Sequence, residues 1–191
     1  MPGKTVNLSV PSGEGYRVRE AEVSDVPGIR DLERRAGAPF REVGLDAVAD
    51  DEPPTAEVLR IAVRKGEVFV VEDLSPARGA GEGPVAWMWL STADGDLLLE
   101  QVSVDPAYRG KRIGSALIEG AVDHGRAEGF AGVVLTTFRD IPWNGPLYRR
   151  LGFRTMQDAE IGPELRAIRR SETEAGLDVL QRECLRKRIT R

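Results

Sequence analysis

The sequence is poor in the residues that build disulfide frameworks, metal sites and membrane spans. Its 191 residues include one cysteine, Cys184, and one histidine, His124. A single cysteine cannot form an intramolecular disulfide. His124 has no second metal-ligating residue at helical spacing, so the sequence does not indicate a metal site. No stretch reaches the roughly 18 apolar residues of a membrane span. These shortages exclude a disulfide-stapled scaffold, and we expect neither a bound metal nor a membrane partner.

The sequence also has no apolar run near its start and no dominant charge of one sign. Its first residues contain no apolar core of the kind that signal peptides have, so we expect a cytoplasmic protein. The 27 Lys and Arg residues and 31 Asp and Glu residues give a net charge of −4. An acidic total argues against a nucleic-acid-binding protein, which needs an extended basic face. We therefore expect no nucleic-acid partner.

The composition is that of an ordinary globular protein, with 41% hydrophobic and 30% charged residues. Residues 1–14 are polar and rich in Gly, Ser and Pro, which predicts a flexible N-terminal tail. The remaining residues, 15–191, have a length that fits one domain. We therefore predict a tail followed by a single domain.

Hydrophobic periodicity predicts the order strand, two helices, three strands, helix, strand, helix, strand, and a late helix and strand. A long helix predicted from Tyr108 to Gly129 separates two apolar strands, 96–104 and 132–138. Such an arrangement is typical of a parallel strand pair joined by a right-handed crossover. The sequence thus predicts an α+β (α/β) fold, with a central, mostly antiparallel mixed sheet that contains one parallel pair and is flanked by helices.

Cations and glycines are concentrated where the long helix is predicted to begin, in the stretch DPAYRGKRIGSALIEGA. A helix N-terminus offers unpaired N–H donors and the positive end of the helix dipole, so it binds anions. Gly110 and Gly114 let a ligand approach the main chain, while Arg109, Lys111 and Arg112 add positive charge. The spacing is neither that of a P-loop nor that of a dinucleotide fold. The pattern favours a diphosphate-binding loop; the alternative is a solvated basic helix start.

The stretch VSVDPAYRGKRIGSALIEGA, followed by GVVLTTF and LYRRLGF, resembles the acyl-CoA-binding core of the GNAT superfamily of N-acetyltransferases. The family pattern is Arg or Gln, two residues, Gly, one residue, then Gly or Ala. Arg109 and Gly114 match it, and Arg112 replaces the middle glycine. The resemblance implies acetyl-CoA as co-substrate and a GNAT fold, whose parallel strand pair splays apart so that pantetheine pairs with exposed backbone like an added strand.

The resemblance also implies which residues bind the cofactor. The main chain of Val102, Ser103 and Val104 would meet the pantetheine arm. The pyrophosphate would meet the following seven residues: Arg109, Gly110, Lys111, Arg112, Ile113, Gly114 and Ser115. The family often places an asparagine seven residues before a tyrosine of LYRRLGF, but Ile141 stands there and Asn144 lies four before. Asn144 therefore either contacts the CoA arm or caps the short helix that follows.

Two residues are candidates for the chemistry. Glu100 interrupts the apolar run LLLEQV, where desolvation would raise the pKa of its carboxyl toward that of a general base. Several GNAT aminoglycoside acetyltransferases have a glutamate at a similar point; the alternatives are a carboxylate that faces water or pairs with an arginine. The family often uses the tyrosine that corresponds to Tyr148 to protonate the departing thiolate. The alternative for Tyr148 is packing of its helix on the sheet.

The resemblance to the GNAT superfamily implies that the segment between the first two helices and the late elements recognise the acceptor. The candidate residues are Phe40, Arg41, Trp87, Arg139 and Trp143. Core packing explains Trp87 equally well, and Arg139 and Trp143 could close the domain surface instead. The acidic run of Asp50, Asp51 and Glu52 would attract an ammonium group, although such runs are usually solvated loops.

The sequence thus supports two functions. The first is an N-acetyltransferase that moves an acetyl group from acetyl-CoA to a primary amine of a small molecule or peptide. The amine attacks directly, with Glu100 as a general base, directly or through water, and Tyr148 as general acid. The second is a non-catalytic acyl-CoA-binding regulatory module. The identity of the acceptor, the acyl-chain preference and the oligomeric state, a homodimer among the alternatives, stay open.

Overall fold

The computed structural model describes residues 15–76 and 82–190. The predicted flexible tail, residues 1–14, lies outside the described residues, as do residues 77–81 of a glycine-rich loop. The chain divides into two compact units. The first comprises the described residues up to Trp89 together with Gln101–Gly120, and the second comprises Leu90–Glu100 and the residues from Ala121 onward. The single domain over residues 15–191 stays a prediction.

The structure contains a mixed sheet flanked by helices. The strands are β1 Tyr16–Glu20, β2 Val68–Asp73, β3 Ala86–Ala93, β4 Asp96–Val104, β5 Gly132–Phe138, β6 Arg154–Thr155 and β7 Arg182–Arg188. The helices are α1 Val26–Gly37, α2 Asp46–Ala49, α3 Ala56–Arg64, α4 Ile113–Glu128, α5 Gly145–Arg150 and α6 Pro163–Glu174. None of the helices in the described ranges is long and apolar enough to cross a membrane.

The strands form one seven-stranded sheet in the order β1-β2-β3-β4-β5-β7-β6. β4 and β5 are parallel, with Leu97 opposite Val133 and Leu98 opposite Val134. β1 with β2, β2 with β3, β5 with β7, and β6 with β7 are antiparallel. The predicted α+β architecture, a mixed sheet with one parallel pair flanked by helices, is confirmed.

The core of the first unit lies where α1 and α3 pack on the sheet. Ile29 and Leu32, three residues apart on α1, are fully buried, and they join Leu59 of α3 and Trp87 of β3 in one apolar cluster. α3 begins after Thr55, whose Oγ1 accepts a hydrogen bond from the backbone N–H of Val58 at 3.3 Å. Burial of these side chains positions α1 against β2 and β3.

The second unit has its own apolar cluster, which includes Leu98, Val134, Leu165 and Cys184. α6 is fixed to it through Asp94, whose two carboxylate oxygens accept hydrogen bonds from the backbone N–H groups of Glu164 and Leu165, each at 3.0 Å. This carboxylate satisfies donors that the helix itself leaves unpaired. Asp94 thereby ties the β3–β4 turn to the start of α6.

The helix predicted from Tyr108 begins later, at Ile113. Pro106–Tyr108 form a 3₁₀ turn, and the chain then takes positive φ angles at Gly110 (77°) and Arg112 (61°). A left-handed residue cannot continue a right-handed helix. The amphipathic pattern is continuous through this stretch, but the backbone is not helical there.

Candidate functional site

The loop between β4 and α4 is anchored at its base by Asp105. Its Oδ1 accepts a hydrogen bond from the backbone N–H of Ala107 at 3.0 Å, and its Oδ2 lies 2.8 Å from Arg35 Nε of α1. The hydroxyl of Tyr108 donates a hydrogen bond to Asp73 Oδ2 at 2.7 Å. Lys111 Nζ lies 4.5 Å from the centre of the Tyr108 ring. These contacts fix the conformation of the loop before α4 begins.

The backbone of this loop presents N–H groups at the start of α4. The first bond of the helix runs from the N–H of Ala116 to the carbonyl of Arg112 at 3.0 Å. The N–H groups of Ile113, Gly114 and Ser115 therefore have no acceptor within the helix. A Cβ at Gly114 would lie 3.4 Å from Val104 Cγ2, so glycine keeps the helix close to β4.

Three exposed cations stand beside these donors: Arg109, Lys111 and Arg112. Free N–H groups, the positive end of a 16-residue helix and cationic side chains together favour a bound anion. The predicted pyrophosphate residues 109–115 thus occupy one end of α4, and Val102, Ser103 and Val104 precede them in β4. All of these residues belong to the first unit.

Glu100 differs from expectation in its environment. Burial is continuous from Asp96 to Leu99 but stops at Glu100, whose side chain is exposed. Its Oε1 accepts a hydrogen bond from Ser91 Oγ at 2.7 Å. The predicted desolvation of this carboxylate among leucines was therefore wrong, because the apolar run ends one residue before it.

Tyr148 is buried in α5, with its ring edge-on to Phe153 at 5.7 Å between centroids. Burial raises the pKa of its phenol above the ordinary value near 10. The side chain therefore remains protonated at neutral pH, as a hydrogen-bond donor must.

Asn144 immediately precedes α5, but its side chain makes no capping hydrogen bond. Its Oδ1 is buried and has no hydrogen-bond partner within the described residues. A buried acceptor without a partner costs about 1–3 kcal/mol, so this oxygen suits a donor from a bound ligand. Capping by the Asn144 side chain, one of the two alternatives, is not observed.

The profile of the family described as "Acetyltransferase (GNAT) domain" matches residues 45–155, more than half of the chain. The chain belongs to the GNAT acetyltransferase family. The predicted family is confirmed, and the positive φ of Arg112 shows why a GNAT protein favours glycine at this position, which the arginine occupies here.

Relatives and solved structures agree with this membership. The chain is 40% identical over 73 residues to a "Probable N-acetyltransferase camello" of Xenopus tropicalis, a match that covers 38% of the chain and 33% of the relative. N-acetylglutamate synthase from Neisseria gonorrhoeae, solved with coenzyme A and N-acetyl-glutamate, has a TM-score of 0.64 at 20% identity, over 92% of this chain and 35% of the synthase. The matched segments thus span about a third of these two proteins.

Two further structures are covered almost completely. The ribosomal-protein-S18-alanine N-acetyltransferase of Escherichia coli has a TM-score of 0.60 at 18% identity, over 92% of this chain and 95% of that one. PaiA N-acetyltransferase of Thermoplasma acidophilum, solved with coenzyme A, has a TM-score of 0.63 at 13% identity, over 91% and 98%. At these identities the likeness shows that the GNAT protein shares their fold.

The predicted acceptor residues lie in both units of the GNAT protein. Phe40 and Arg41 belong to the 3₁₀ segment Ala38–Val43, where Arg41 pairs with Asp50. Arg139 donates to Gln181 Oε1 at 2.9 Å, and Trp143 is half-buried. Trp87 is fully buried in the core of the first unit, as the packing alternative predicted. A direct contact between Trp87 and a substrate is therefore contradicted by its burial.

Glu33 of α1 is a site residue that was not predicted from the sequence. Its Oε2 accepts a hydrogen bond from Trp87 Nε1 at 2.8 Å, and its Oε1 accepts one from Gln101 Nε2 at 2.6 Å. Burial raises the pKa of its carboxyl, although these donors act in the opposite direction. The available signal was its position: Glu33 lies one residue after buried Leu32, beside the apolar face of α1.

Cys184 is a packed core residue of the second unit. Burial raises the pKa of its thiol to about 11, which keeps it protonated and poorly nucleophilic. Within residues 15–76 and 82–190, no three His, Cys, Asp or Glu side chains are grouped to hold a metal ion.

Proposed function

We propose that this GNAT protein transfers an acetyl group from acetyl-CoA to a primary amine of a small molecule or peptide. The observation that carries the proposal is the loop before α4, within the segment that matches the family. Its left-handed residues, Gly110 and Arg112, lead into unpaired N–H groups flanked by exposed cations. This chemistry suits the diphosphate of coenzyme A, which two of the similar solved structures contain.

Acetyl-CoA would supply an acetyl thioester, and the chain's own groups would hold it. The N–H groups and cations of residues 109–115 bind the diphosphate, while the main chain of Val102–Val104 accompanies the pantetheine arm. The buried Oδ1 of Asn144 accepts a hydrogen bond from a ligand N–H, because the described chain offers it none.

The acceptor must lose a proton before it can attack. An alkyl ammonium has a pKa of about 10.4, so little of it is neutral near pH 7. Glu100 acts as the base through a water molecule, since its side chain is exposed and Ser91 orients one of its oxygens. The neutral nitrogen attacks the carbonyl carbon of the thioester, and a C–N bond forms as the C–S bond breaks. The proton that the nitrogen then loses passes to the leaving thiolate, which gives the amide and the free thiol of coenzyme A.

Tyr148 donates a hydrogen bond to the departing sulfur. Because burial raises the pKa of its phenol above the ordinary value, hydrogen bonding to the thiolate is favoured over complete proton transfer. Phe40, Arg41, Arg139 and Trp143 are the proposed acceptor contacts. The similar solved structures include a complex with N-acetyl-glutamate and one with a Gag peptide, which supports either a small-molecule or a peptide acceptor.

Calorimetry with acetyl-CoA, combined with an assay of thiol release, tests the proposal. The acceptor panel contains spermidine, tyramine, L-lysine and a short peptide with a free N-terminus. We expect binding of acetyl-CoA and thiol release with at least one amine. Reversal of charge in Arg109→Glu/Arg112→Glu should weaken binding at least tenfold, whereas Arg60→Glu/Arg64→Glu, on exposed positions of α3, should not.

The outcomes separate the two functions. Unchanged affinity in Arg109→Glu/Arg112→Glu would refute the diphosphate site. Binding of acetyl-CoA without thiol release for any amine would instead identify a non-catalytic acyl-CoA-binding regulatory module. Absence of acetyl-CoA binding would contradict both functions.

A further inference from the structure

Glu33 is a half-buried carboxylate whose hydrogen-bond partners are all neutral donors. The indole of Trp87 and the amide of Gln101 donate to its two oxygens, and the hydroxyl of Ser103 also stabilises the anion. No Arg, Lys or His of the described residues lies within ion-pairing distance of it. The neighbouring arginines of α1 have other partners: Arg30 and Arg34 pair with Glu52.

A carboxylate that is partly removed from water and has no counter-ion is less stable as an anion than one in water. Burial raises the pKa of Glu33, and the negative charge of Asp51 raises it further. The three neutral donors oppose protonation, and a carboxylate can accept about four hydrogen bonds, so at least one position is left for another donor. A cationic donor would supply both the missing bond and the missing charge.

Asp51 provides a second negative charge near this position. It belongs to the acidic run before α3, in which Asp50 pairs with Arg41 and Glu52 pairs with Arg34. Among the described residues no cation pairs with Asp51, which is exposed. Asp50 and Glu52 are thus neutralised by arginines, whereas Asp51 is not. The charge of Asp51 therefore disfavours the anionic form of Glu33.

The position of Glu33 is fixed by the strand expected to hold the cofactor. Gln101 and Ser103 lie on β4, and the Nε2 of Gln101 bridges Glu33 Oε1 at 2.6 Å and Ser103 Oγ at 3.0 Å. Val102 lies between these two residues, and its main chain is part of the proposed pantetheine contact. The hydrogen bonds of Glu33 therefore connect α1 directly to that part of β4.

We propose that Glu33 binds the protonated amine of the acceptor, so that the acceptor is recognised as a cation before it loses its proton. This inference rests on the proposed acetyl transfer. It adds that the acceptor binds as a cation and that Glu33 is the residue that recognises its charge. The ammonium donates to the free position of the Glu33 carboxylate, and Asp51 adds long-range attraction. Glu33 and Asp51 together favour the binding of primary ammonium compounds over neutral amides and alcohols of the same shape.

Steady-state kinetics of Glu33→Gln test the role of this charge. Glutamine keeps the shape and an acceptor oxygen but removes the charge. With the best amine of the panel at pH 8, we expect its KM to rise at least tenfold, while kcat and the KM of acetyl-CoA change less than threefold. Glu57→Gln, which removes an exposed carboxylate of α3, is the matched control and should leave all three values unchanged.

The pH dependence adds a readout that a structural role would not alter. In the wild type the KM of the amine should rise as the pH falls through the raised pKa of Glu33, because protonation removes the charge. This acidic rise should be missing in Glu33→Gln. An unchanged amine KM in the variant, or a parallel rise in both KM values with a lowered melting temperature, would overturn the proposal.

Binding without turnover separates this inference from the proposed function. Saturation-transfer NMR with n-butylammonium chloride should show contact with the wild type and Glu57→Gln but not with Glu33→Gln, and n-butanol should show none. If these signals depend on Glu33 while no acetyl transfer occurs, the cation site stands and the proposed function fails. If transfer occurs but butylammonium binding is independent of Glu33, the inference is wrong and the function stands.

Discussion

Arg186 of β7 reaches across β5 to hold Asp96 at the start of β4. Its Nε lies 2.6 Å from Asp96 Oδ2, and its Nη2 lies 2.9 Å from Oδ1. Both side chains are largely buried, with exposed fractions of 20% and 12%. Gly132 of β5 lies between them: a Cβ there would be 2.9 Å from Arg186 Nε and 3.1 Å from Asp96 Oδ1. The missing side chain of Gly132 thus makes room for a two-point ion pair over the sheet.

We predict that Gly132→Ala lowers the free energy of unfolding by about 1–3 kcal/mol, because the added methyl group displaces the guanidinium from Asp96. Urea denaturation measures the change. Gly83→Ala is the control, since its Cβ would meet only an ordinary contact at 3.5 Å from Gly28 Cα.

A double-mutant cycle with Asp96→Ala identifies the cause. Without Asp96 the side chain of Arg186 can move away from the added methyl group. Gly132→Ala should therefore lower the free energy of unfolding by less in the Asp96→Ala background. Strictly additive effects would show that the methyl group disturbs something other than the ion pair.

Gly145 permits a close approach of two backbone segments in the second unit. A Cβ at this position would lie 2.3 Å from the carbonyl oxygen of Arg139, which cannot move aside as a side-chain end could. We predict that Gly145→Ala costs at least about 2 kcal/mol of stability and displaces the neighbouring Asn144. Thermal unfolding and calorimetry with acetyl-CoA measure the two effects; a stable variant with unaltered affinity would contradict this prediction.

Cys184 should react slowly with thiol reagents in the native protein. Since burial raises the pKa of its thiol to about 11, only about one molecule in a thousand carries a thiolate at pH 8. We expect iodoacetamide to modify Cys184 at least tenfold faster in urea than in the folded state, as mass spectrometry would show. Equal rates in the two conditions would mean that the thiol is neither buried nor shifted.

Replacement of Tyr148 by phenylalanine removes the proposed hydrogen bond to the leaving sulfur. We predict that kcat falls about 10- to 100-fold while the KM of acetyl-CoA changes little, because the bond strengthens as the thiolate forms. Since burial raises the pKa of the phenol, the wild-type rate should show no loss from its ionisation up to pH 9.5. Tyr16→Phe is the control. An unchanged kcat in Tyr148→Phe would show that Tyr148 only packs its helix on the sheet.

Local sequence patterns were sufficient to predict a mixed sheet with one parallel pair, but not the order of its strands or the environment of every side chain. The apolar runs of β4 and β5 predicted a parallel pair. Parallel strands are usually buried on both faces, and their sequences are therefore almost continuously hydrophobic. The environment of Glu100 could not be predicted in this way, since strand alternation does not show where burial ends. Glu33 was missed because its donors, Trp87 and Gln101, lie 54 and 68 residues away in the chain. Contacts at that separation exist only once the fold brings them together.

The loop at Arg112 separates backbone geometry from charge. Its φ of 61° costs a residue with a Cβ about 1 kcal/mol, whereas glycine adopts it freely. We predict that Arg112→Gly raises the free energy of unfolding by up to about 1 kcal/mol and weakens acetyl-CoA binding at low salt, where one cation of the diphosphate site is missing. Because exposed charges are screened, the difference in affinity should shrink in 0.5 M NaCl. Urea denaturation and calorimetry at two salt concentrations measure these effects. If affinity instead stays equal to that of the wild type at low salt, the guanidinium contributes nothing to the anion, and the N–H groups of the helix start must hold the diphosphate alone.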